Sequence, residues 1–463
     1  MRGTLSTDLV VDNDEIDVVA IDSSLQLCGY FTRTKFQRAA LPVGFGEFRL
    51  LRPIVRGQRL DCLAVLEKSR GNLVAGHIDL RDPSGALVAQ FRDLRAEQFD
   101  KLPAAGDHPT VAPPGAETFD VAKFPEVVEL HQRIEMAKAM GIKNPYFNVH
   151  QRVTNETSLI DGKEFVNFAS YNYLGLSGHA DISRAATEAI ERYCTSVSAS
   201  RVASGEKPLH RELEHAIAEL LGVEDAIVMV GGHATNVSVI GHVLGAGDLI
   251  VHDSLAHDSI LGGAKLSGAR RRPFAHNDVE ALDRTLTQLR PHARRVLIAV
   301  EGAYSMDGDI APLPEIIEVK KRHKALLFVD EAHSLGVLGK TGRGVGEHFG
   351  VNPADVDMWM GTLSKSLASC GGYIAGSHAL IEFLKYTNPG FVYSVGMSPA
   401  NAAAALAAVG HMQRHPELVT QLGERCAFFL RACKERGINT GMSNGTAVIP
   451  CIVPNSYHCL KLS

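Results

Sequence analysis

The sequence lacks the features of an exported, membrane-spanning or metal-binding protein. Its 463 residues contain no uninterrupted apolar run long enough to cross a bilayer and no basic N-terminal region followed by an apolar core. The eight cysteines form no C-x-x-C pair and no metal-ligand spacing, which predicts reduced thiols, no disulfides and no metal. A net charge of -5 gives no general attraction to nucleic acid. We therefore expect a cytoplasmic protein without a membrane span or a nucleic-acid partner.

Composition and patterning predict a β-rich N-terminal segment followed by a longer α/β region. Residues 1–100 show apolar alternation around the turn Asp82-Pro83-Ser84-Gly85, which is typical of a β-hairpin. Residues 101–122 are rich in Pro, Gly and Ala and have no periodicity, which predicts a linker. Helical segments then alternate with runs that are apolar throughout, at 226–230, 248–251, 296–300, 325–329 and 356–360. Such runs are expected of parallel strands covered on both faces, and ligands bind beyond their carboxyl ends.

Two candidate residues follow neighbouring apolar runs. Asp330 comes directly after 325–329, where a buried carboxylate needs a cationic partner such as a protonated pyridinium, or else caps the next turn. Lys365 follows 356–360 among small residues, where desolvation favours a reactive neutral amine. Each residue alone is weak evidence, since most lysines are solvated and many aspartates are caps. In this order, with one strand unit between them, they favour a pyridoxal 5'-phosphate (PLP) site.

A glycine-rich turn follows the run 226–230 and opens a helix at Gly232 and His233. Glycine allows a phosphate to approach the backbone, and a helix N-terminus supplies free N-H groups, although a plain strand-to-helix loop has the same pattern. His257 is placed to lie flat on a cofactor ring or, alternatively, to cap a helix, and His333 alone is equally a structural histidine.

Together these features resemble the α-oxoamine synthases, the fold-type-I PLP family that includes aminolevulinate synthase, serine palmitoyltransferase and amino-oxononanoate synthase. The resemblance covers residue 125 to the end. The motifs occur in the family's order: NFASYNYLGLSGH, SASRVASG, GDLIVHDSLAHDSILGGAKLSGA, VEGAYSMDGDIAPLPEI, LLFVDEAHSLGVLGKTGRGVGEHFG and GTLSKSLASCGGYIAG. The resemblance implies a mostly parallel central sheet and a homodimer with shared active sites. It divides the region into three parts. These are the N-terminal helix and strands of the synthase at 123–175, a large PLP-binding domain at 176–415, and the start of a truncated C-terminal small domain at 416–463.

The resemblance also implies the roles of individual residues. Lys365 would hold PLP and move protons, and Asp330 would pair with the pyridine nitrogen. His257 would stack on the ring. The remaining matched positions are Ser305 and His333 at the phenolic oxygen, Gly232, His233 and Thr362 at the phosphate, Asn172 near the amino-acid carboxylate and Ser200 where the family adjusts amino-acid size.

The sequence departs from the family pattern at three points. His233 stands where an aromatic residue is usual, and Ser394 stands beside Val395 where the family often has two adjacent hydroxyls. The family's carboxylate-binding arginine is expected beyond residue 463.

The N-terminal segment resembles part of a polyketide synthase dehydratase. Its motifs, among them LPVGFGEFRLLRP and GHIDLRDPSGALVAQFRDL, look like the second hot-dog half, and Asp22 and Gln26 match a D-x-x-x-Q element. A surface aspartate in a turn is the alternative for Asp22. The partner histidine of a dehydratase is expected to be missing, so we expect no dehydration by this segment alone.

The function implied is decarboxylative condensation of a small amino acid with an acyl thioester to give an α-aminoketone. The polyketide-like segment suggests a substrate bound to an acyl carrier protein as well as, or instead of, coenzyme A (CoA). Two alternatives stay open: another fold-type-I enzyme such as an aminotransferase, and a non-catalytic scaffold. Release of carbon dioxide and a free thiol distinguishes the condensation from transamination.

Overall fold

The computed structural model describes residues 2–6, 39–44, 47–51, 59–68, 73–82, 84–99 and 115–462. These residues divide into two compact units, Met1–Glu135 and Met136–Ser463. Asp22 and Gln26 of the D-x-x-x-Q element, and most of the predicted linker, lie outside the described residues. The domain boundaries predicted from composition stay predictions.

The described part of the first unit is an antiparallel sheet. Its strands are β1 (Arg2–Ser6), β2 (Ala39–Gly44), β3 (Glu47–Leu50), β4 (Arg59–Lys68), β5 (Leu73–Arg81) and β6 (Leu87–Phe99). The strand order is β1-β4-β5-β6-β2, and β3 also pairs with β6. β5 and β6 form the predicted hairpin, whose buried side chains include Ile78, Leu80 and Phe91. The β-rich interpretation is confirmed for these residues.

The second unit is built on a seven-stranded sheet. Its strands are β9 (Asp225–Met229), β10 (Leu249–Asp253), β11 (Arg270–Phe274), β12 (Val296–Glu301), β13 (Leu326–Asp330), β14 (Met358–Thr362) and β15 (Gly372–Gly376). The order is β11-β10-β12-β13-β14-β15-β9, and only β15 runs antiparallel to its neighbours within this sheet. The mostly parallel sheet is therefore confirmed. A separate hairpin joins β7 (Thr157–Ile160) and β8 (Lys163–Val166).

The described residues from Pro125 onward also form helices, several of which pack on the seven-stranded sheet. They are α1 (Pro125–Ala139), α2 (Ala180–Tyr193), α3 (Pro208–Leu221), α4 (Gly232–Val243), α5 (Asp258–Leu266), α6 (Val279–Leu289), α7 (Leu313–His323), α8 (Val345–Phe349), α9 (His378–Thr387), α10 (Pro389–Val392), α11 (Pro399–Arg414), α12 (Glu417–Glu435) and α13 (Ser456–Leu462). None of the described helices has the length and apolar character needed to cross a bilayer.

In the seven-stranded sheet, the five predicted strands appear within two residues of their expected positions. The other two strands of this sheet, β11 and β15, were missed. β11 has the sequence RRRPF and exposes its first four residues at the sheet edge, so it lacks the apolar character of a covered strand. β15 has the sequence GYIAG, whose glycines weaken the strand signal even though all five residues are buried. Both strands are fixed by pairing with their neighbours.

Candidate active site

Lys365 lies just after strand β14, with its amine beside a histidine. Its Nζ atom is 2.8 Å from Nε2 of His333, and the hydroxyl of Tyr173 is 2.8 Å from Nδ1 of the same ring. Burial lowers the pKa of His333 to about 3, and the positive charges of Lys365 and His257 act in the same direction. His333 is therefore a neutral imidazole across the physiological range. A neutral ring held at both nitrogens adds no positive charge beside the lysine amine.

Asp330 ends strand β13 as a buried carboxylate with two partners. Its Oδ1 atom accepts a hydrogen bond from the backbone N-H of Ala332 at 2.9 Å, as the turn-capping alternative requires. Its Oδ2 atom accepts one from the side-chain amide of Asn236 at 2.8 Å. Asn236 is also buried, and its amide is 2.8 Å from the hydroxyl of Ser259. One oxygen of Asp330 thus caps the turn while the other is oriented by helix α4.

Glu301 is a second buried carboxylate at the strand ends, and the sequence interpretation missed it. It ends β12 directly opposite Asp330 in the ladder between β12 and β13. Burial and the charge of Asp330 raise the pKa of Glu301 well above its usual value, which favours the protonated acid. Burial lowers the pKa of Lys365, and these two carboxylates oppose that shift. Glu301 follows an apolar run just as Asp330 does, and that signal could have identified it.

His257 caps helix α5 and keeps its ring exposed. Its Nδ1 atom accepts a hydrogen bond from the N-H of Ser259 at 3.2 Å and lies 2.6 Å from the hydroxyl of that residue. Its own N-H donates to Oε1 of Glu301 at 2.7 Å, which ties the start of the helix to the strand ends. The capping alternative is therefore correct, and an exposed ring is also compatible with stacking. The ring of His233 meets it nearly edge-on at 6.3 Å between centroids.

The glycine turn before helix α4 packs against the end of strand β14. A Cβ atom on Gly232 would lie 2.7 Å from Oγ1 of Thr362, so only glycine fits without displacement. Thr362 is buried and its hydroxyl is 2.7 Å from that of Ser364. Helix α4 begins at Gly232, and the N-H groups of a first helical turn have no hydrogen-bond acceptor within the helix. The structure thus brings Gly232 and Thr362 together, while the side chain of His233 is exposed.

Three other predicted residues have separate surroundings. Asn172 donates a hydrogen bond to the side chain of Asn155 at 2.5 Å and follows Tyr171, whose ring centroid is 5.4 Å from the Lys365 amine. Ser200 donates its hydroxyl to the carbonyl of Val392 at 2.6 Å. Ser305 is half-buried, and its backbone N-H interacts with the Glu301 carboxylate. Asn172 and Ser305 are therefore next to residues that contact Lys365 or Glu301. The Ser200 side chain instead contacts the segment before Tyr393.

A half-buried histidine that the sequence interpretation missed joins three segments beside the site. Nδ1 of His276 is 2.8 Å from a carboxylate oxygen of Asp253, and Nε2 is 2.7 Å from one of Asp309. Asp253 ends β10 shortly before His257, and Asp309 lies shortly after Ser305. Burial lowers the pKa of His276, but hydrogen bonds to the two carboxylates outweigh it and raise the pKa to about 10. His276 is therefore a protonated bridge.

We expect the contribution of this bridge to the free energy of unfolding to decrease as the pH rises from 6.5 to about 10. The folded state holds a proton that the unfolded state releases in this range, so each unit of pKa shift corresponds to about 1.4 kcal/mol lost on the alkaline side. The total is on the order of a few kcal/mol. The midpoint of thermal unfolding should fall with pH in the wild type and change less in His276→Gln. Parallel curves for the two proteins would contradict the assignment.

Comparison with known proteins agrees with this geometry. The family model for aminotransferase class I and II matches residues 163–463. The chain belongs to this family. It is 39% identical over 334 residues to an 8-amino-7-oxononanoate synthase of Symbiobacterium thermophilum, covering 72% of this chain and 84% of the relative. It is 43% identical over 296 residues to the same enzyme of Geobacter sulfurreducens, covering 63% and 75%.

Among solved structures, the serine palmitoyltransferase of Sphingomonas wittichii superposes with a TM-score of 0.69 at 31% identity. The alignment covers 75% of this chain and 85% of that one. The chain is therefore a PLP-dependent α-oxoamine synthase, an enzyme that condenses an amino acid with an acyl thioester and releases carbon dioxide.

The model described as the polyketide synthase dehydratase N-terminal domain matches residues 19–105. The likeness of this segment to the dehydratase is confirmed. The description names the N-terminal domain, so the prediction of the second half is not supported.

The residues present fit PLP. The site offers a half-buried amine with a lowered pKa for the aldehyde carbon and a buried carboxylate for the ring nitrogen. It also offers a glycine turn at a helix N-terminus, where the close approach of Gly232 and Thr362 leaves no room for a Cβ atom. These are the three kinds of group that the aldehyde, the pyridine and the phosphate of PLP require.

Proposed function

We propose that Lys365, Asp330, His333 and His257 act on PLP as the family resemblance implies. Lys365 holds the cofactor, Asp330 keeps the ring nitrogen protonated, and His257 covers one ring face. His333, with Ser305, contacts the phenolic oxygen. The observation that carries the proposal is the 2.8 Å contact between the Lys365 amine and a histidine that burial keeps neutral. A neutral neighbour leaves the lysine free to accept a proton.

When bound, PLP supplies a protonated ring that withdraws electrons from the α-carbon of the amino acid. In the proposed reaction, Nζ of Lys365 removes the α-proton, and the electron pair left on the α-carbon forms a bond to the thioester carbonyl carbon. The bond between the carbonyl carbon and sulfur breaks, and the departing thiolate takes a proton from solvent. Loss of carbon dioxide then breaks the bond to the original carboxylate. A proton returned by Lys365 to the α-carbon completes the aminoketone. Asp330 holds its negative charge opposite the ring nitrogen throughout.

The amino acid is proposed to be small. Ser200 lies where the family adjusts amino-acid size, and its short side chain is occupied by the hydrogen bond to Val392. Asn172 is proposed to approach the carboxylate of the amino acid. Its side chain is positioned by Asn155 and by the N-H of Ser177, which donates to Oδ1 at 3.0 Å. Alanine and serine both remain candidates beside glycine.

The acyl group is proposed to arrive on an acyl carrier protein, in the biosynthesis of a polyketide or fatty-acyl product. The support is the match of residues 19–105 to a polyketide synthase dehydratase domain, which suggests a setting of carbon-chain assembly. With the same acyl chain on both donors, we expect kcat/KM for the carrier-bound thioester to exceed that for the CoA ester by at least about tenfold, which corresponds to about 1.4 kcal/mol.

The full chain should be assayed with each donor, measuring release of free thiol and carbon dioxide. A clear preference for the CoA ester would contradict the carrier proposal while leaving the condensation intact. Amino-group transfer without carbon dioxide would instead support the aminotransferase alternative.

The phosphate of PLP is proposed to bind at Gly232, His233 and Thr362. A Cβ atom at Gly232 would press on the Thr362 hydroxyl, so we expect Gly232→Ala to lower the affinity for PLP by about tenfold or more. Gly231→Ala is the matched control, because a Cβ atom there has no neighbour within 4 Å and the backbone is extended with φ at -166°. PLP content after dialysis measures both. Equal loss in the two variants would contradict the proposed phosphate site.

A homodimer with shared active sites is also proposed. Large side chains are exposed in the segments that contain the site residues: Tyr171 by 58%, Met306 by 77%, Tyr393 by 86% and Val395 by 50%. Exposed apolar groups concentrated near one site are typical of a protein interface.

A further inference from the structure

We propose that His179, Asp181 and His411 form a binding site for a divalent transition-metal ion, separate from the PLP site. Each of the three side chains offers one ligand atom, and these atoms all lie within 4.8 Å of one another. His179 caps helix α2, Asp181 lies in its first turn, and His411 lies near the end of helix α11. Helices α2 and α11 pack against each other, so the ion would join them.

The spacing of these three residues is close to that of a metal site. Nitrogen and oxygen ligands lie about 2.0–2.2 Å from zinc, so two ligands of one ion are separated by roughly 3–4 Å. Closing from 4.8 Å requires small side-chain rotations. Asp181 is exposed and His179 is half-buried, so both have room to rotate, while His411 is held in the packed helix with 9% of its surface exposed.

The two imidazole rings of the proposed site lie close together. The ring centroids of His179 and His411 are 4.4 Å apart with an interplanar angle of 57°, and the carboxylates of Asp181 and Glu417 both act on His411 electrostatically.

His415 provides a fourth potential ligand. Its ring centroid is 4.4 Å from that of His411, one turn earlier in the chain. Its Nδ1 atom donates a hydrogen bond to Oε1 of Glu417 at 2.8 Å, which leaves the lone pair on Nε2. A carboxylate that fixes the tautomer of a histidine in this way is typical of metal ligands.

The present partners of these residues are weak enough to be exchanged. Asp181 is paired with Arg184, and their side chains are exposed by 51% and 64%, so the pair is screened by solvent. Nδ1 of His179 accepts a long hydrogen bond of 3.3 Å from the N-H of Asp181. Coordination would replace both contacts. A set of imidazoles with one carboxylate suits Zn²⁺, Co²⁺ or Ni²⁺ and does not suit Mg²⁺ or Ca²⁺, which require mainly oxygen ligands.

The test is zinc binding by the full PLP-loaded chain, measured by equilibrium dialysis and metal analysis. We expect one zinc ion per chain with an affinity that falls at least about tenfold in His411→Gln and in Asp181→Asn, and by about tenfold in Glu417→Gln. His215→Gln, an exposed histidine on helix α3, is the matched control and should bind as the wild type does. PLP content should be unchanged in all four, because none of these residues lies in the cofactor site.

Asp181→Asn keeps the assay decisive if His411→Gln disturbs the packed helix, since Asp181 is on the surface. The proposal is overturned if the wild type retains no zinc, or if Asp181→Asn and the His215 control retain it equally. Retention of zinc in all variants would assign it to thiols such as Cys194 or Cys451, which are exposed and free of disulfides. The sequence spacing could not reveal this site, because His411 lies more than two hundred positions after His179 and Asp181 and meets them only through helix packing.

Discussion

Lys365→Ala is expected to lower the rate of condensation by at least about 10⁴-fold. The variant removes both the amine that holds the cofactor and the base that moves the α-proton, and general acid-base catalysis alone contributes about 10²–10⁴. The visible absorption of the PLP-loaded protein should change as well, because the cofactor loses its attachment. Residual activity within tenfold of the wild type would exclude Lys365 from this role.

Lys340→Ala is the matched control for this experiment. Lys340 is exposed, and the structure shows no ion pair at its amine among the described residues. We expect this variant to keep its absorption and its turnover. The fold should also survive Lys365→Ala, since the substitution removes the contacts of the amine with His333 and with the Tyr171 ring but also removes a desolvated amine. Loss of activity with an unchanged unfolding midpoint would therefore report on the chemistry.

Asp330→Asn is expected to lower kcat by about 10²–10³ while PLP remains bound. The substitution keeps the shape of the side chain and removes the negative charge that stabilises a protonated ring nitrogen, and one lost electrostatic group in such a site costs about that much. Its amide would face the amide of Asn236. Rotation of Asn236 resolves the clash, because its Oδ1 atom has no partner among the described residues and can accept the new hydrogen bond.

Single-turnover rates and PLP content, measured together, separate this effect from misfolding. Asp330→Glu supplies a second comparison, since it keeps the charge and changes only its position, and we expect a smaller loss of kcat than for Asp330→Asn. The charge of Asp330 also raises the pKa of Glu301, so removing it should favour ionised Glu301. An unchanged kcat in Asp330→Asn would contradict the proposed pairing with the ring nitrogen.

The predicted part of the fold followed from burial. Strands β10, β12, β13 and β14 are covered on both faces, so each had to be apolar throughout, and each appeared in the sequence as a short uninterrupted run. Strand β11 pairs on one side only and is largely exposed, so its three arginines carry no strand signal. Strand β15 depends on pairing with β14 and β9.

The predicted part of the site consists of residues that follow those runs or lie in a distinctive motif. Asp330, Lys365 and Gly232 are of this kind, and the structure brings the first to a strand end and the last against Thr362. Glu301 could have been found in the same way. His276 could not, because its bridge to Asp253 and Asp309 joins three loops that are distant in sequence.

The sequence by itself determined the family, the cofactor and the positions of the covered strands along the chain, because these depend on residue types at fixed short spacings. The tertiary structure alone decided which groups touch: Lys365 against His333, Glu301 beside Asp330, and His179 with Asp181 against His411. Those contacts set the protonation states through burial and neighbouring charge. Burial and proximity arise only when distant segments pack, so no local pattern contains them.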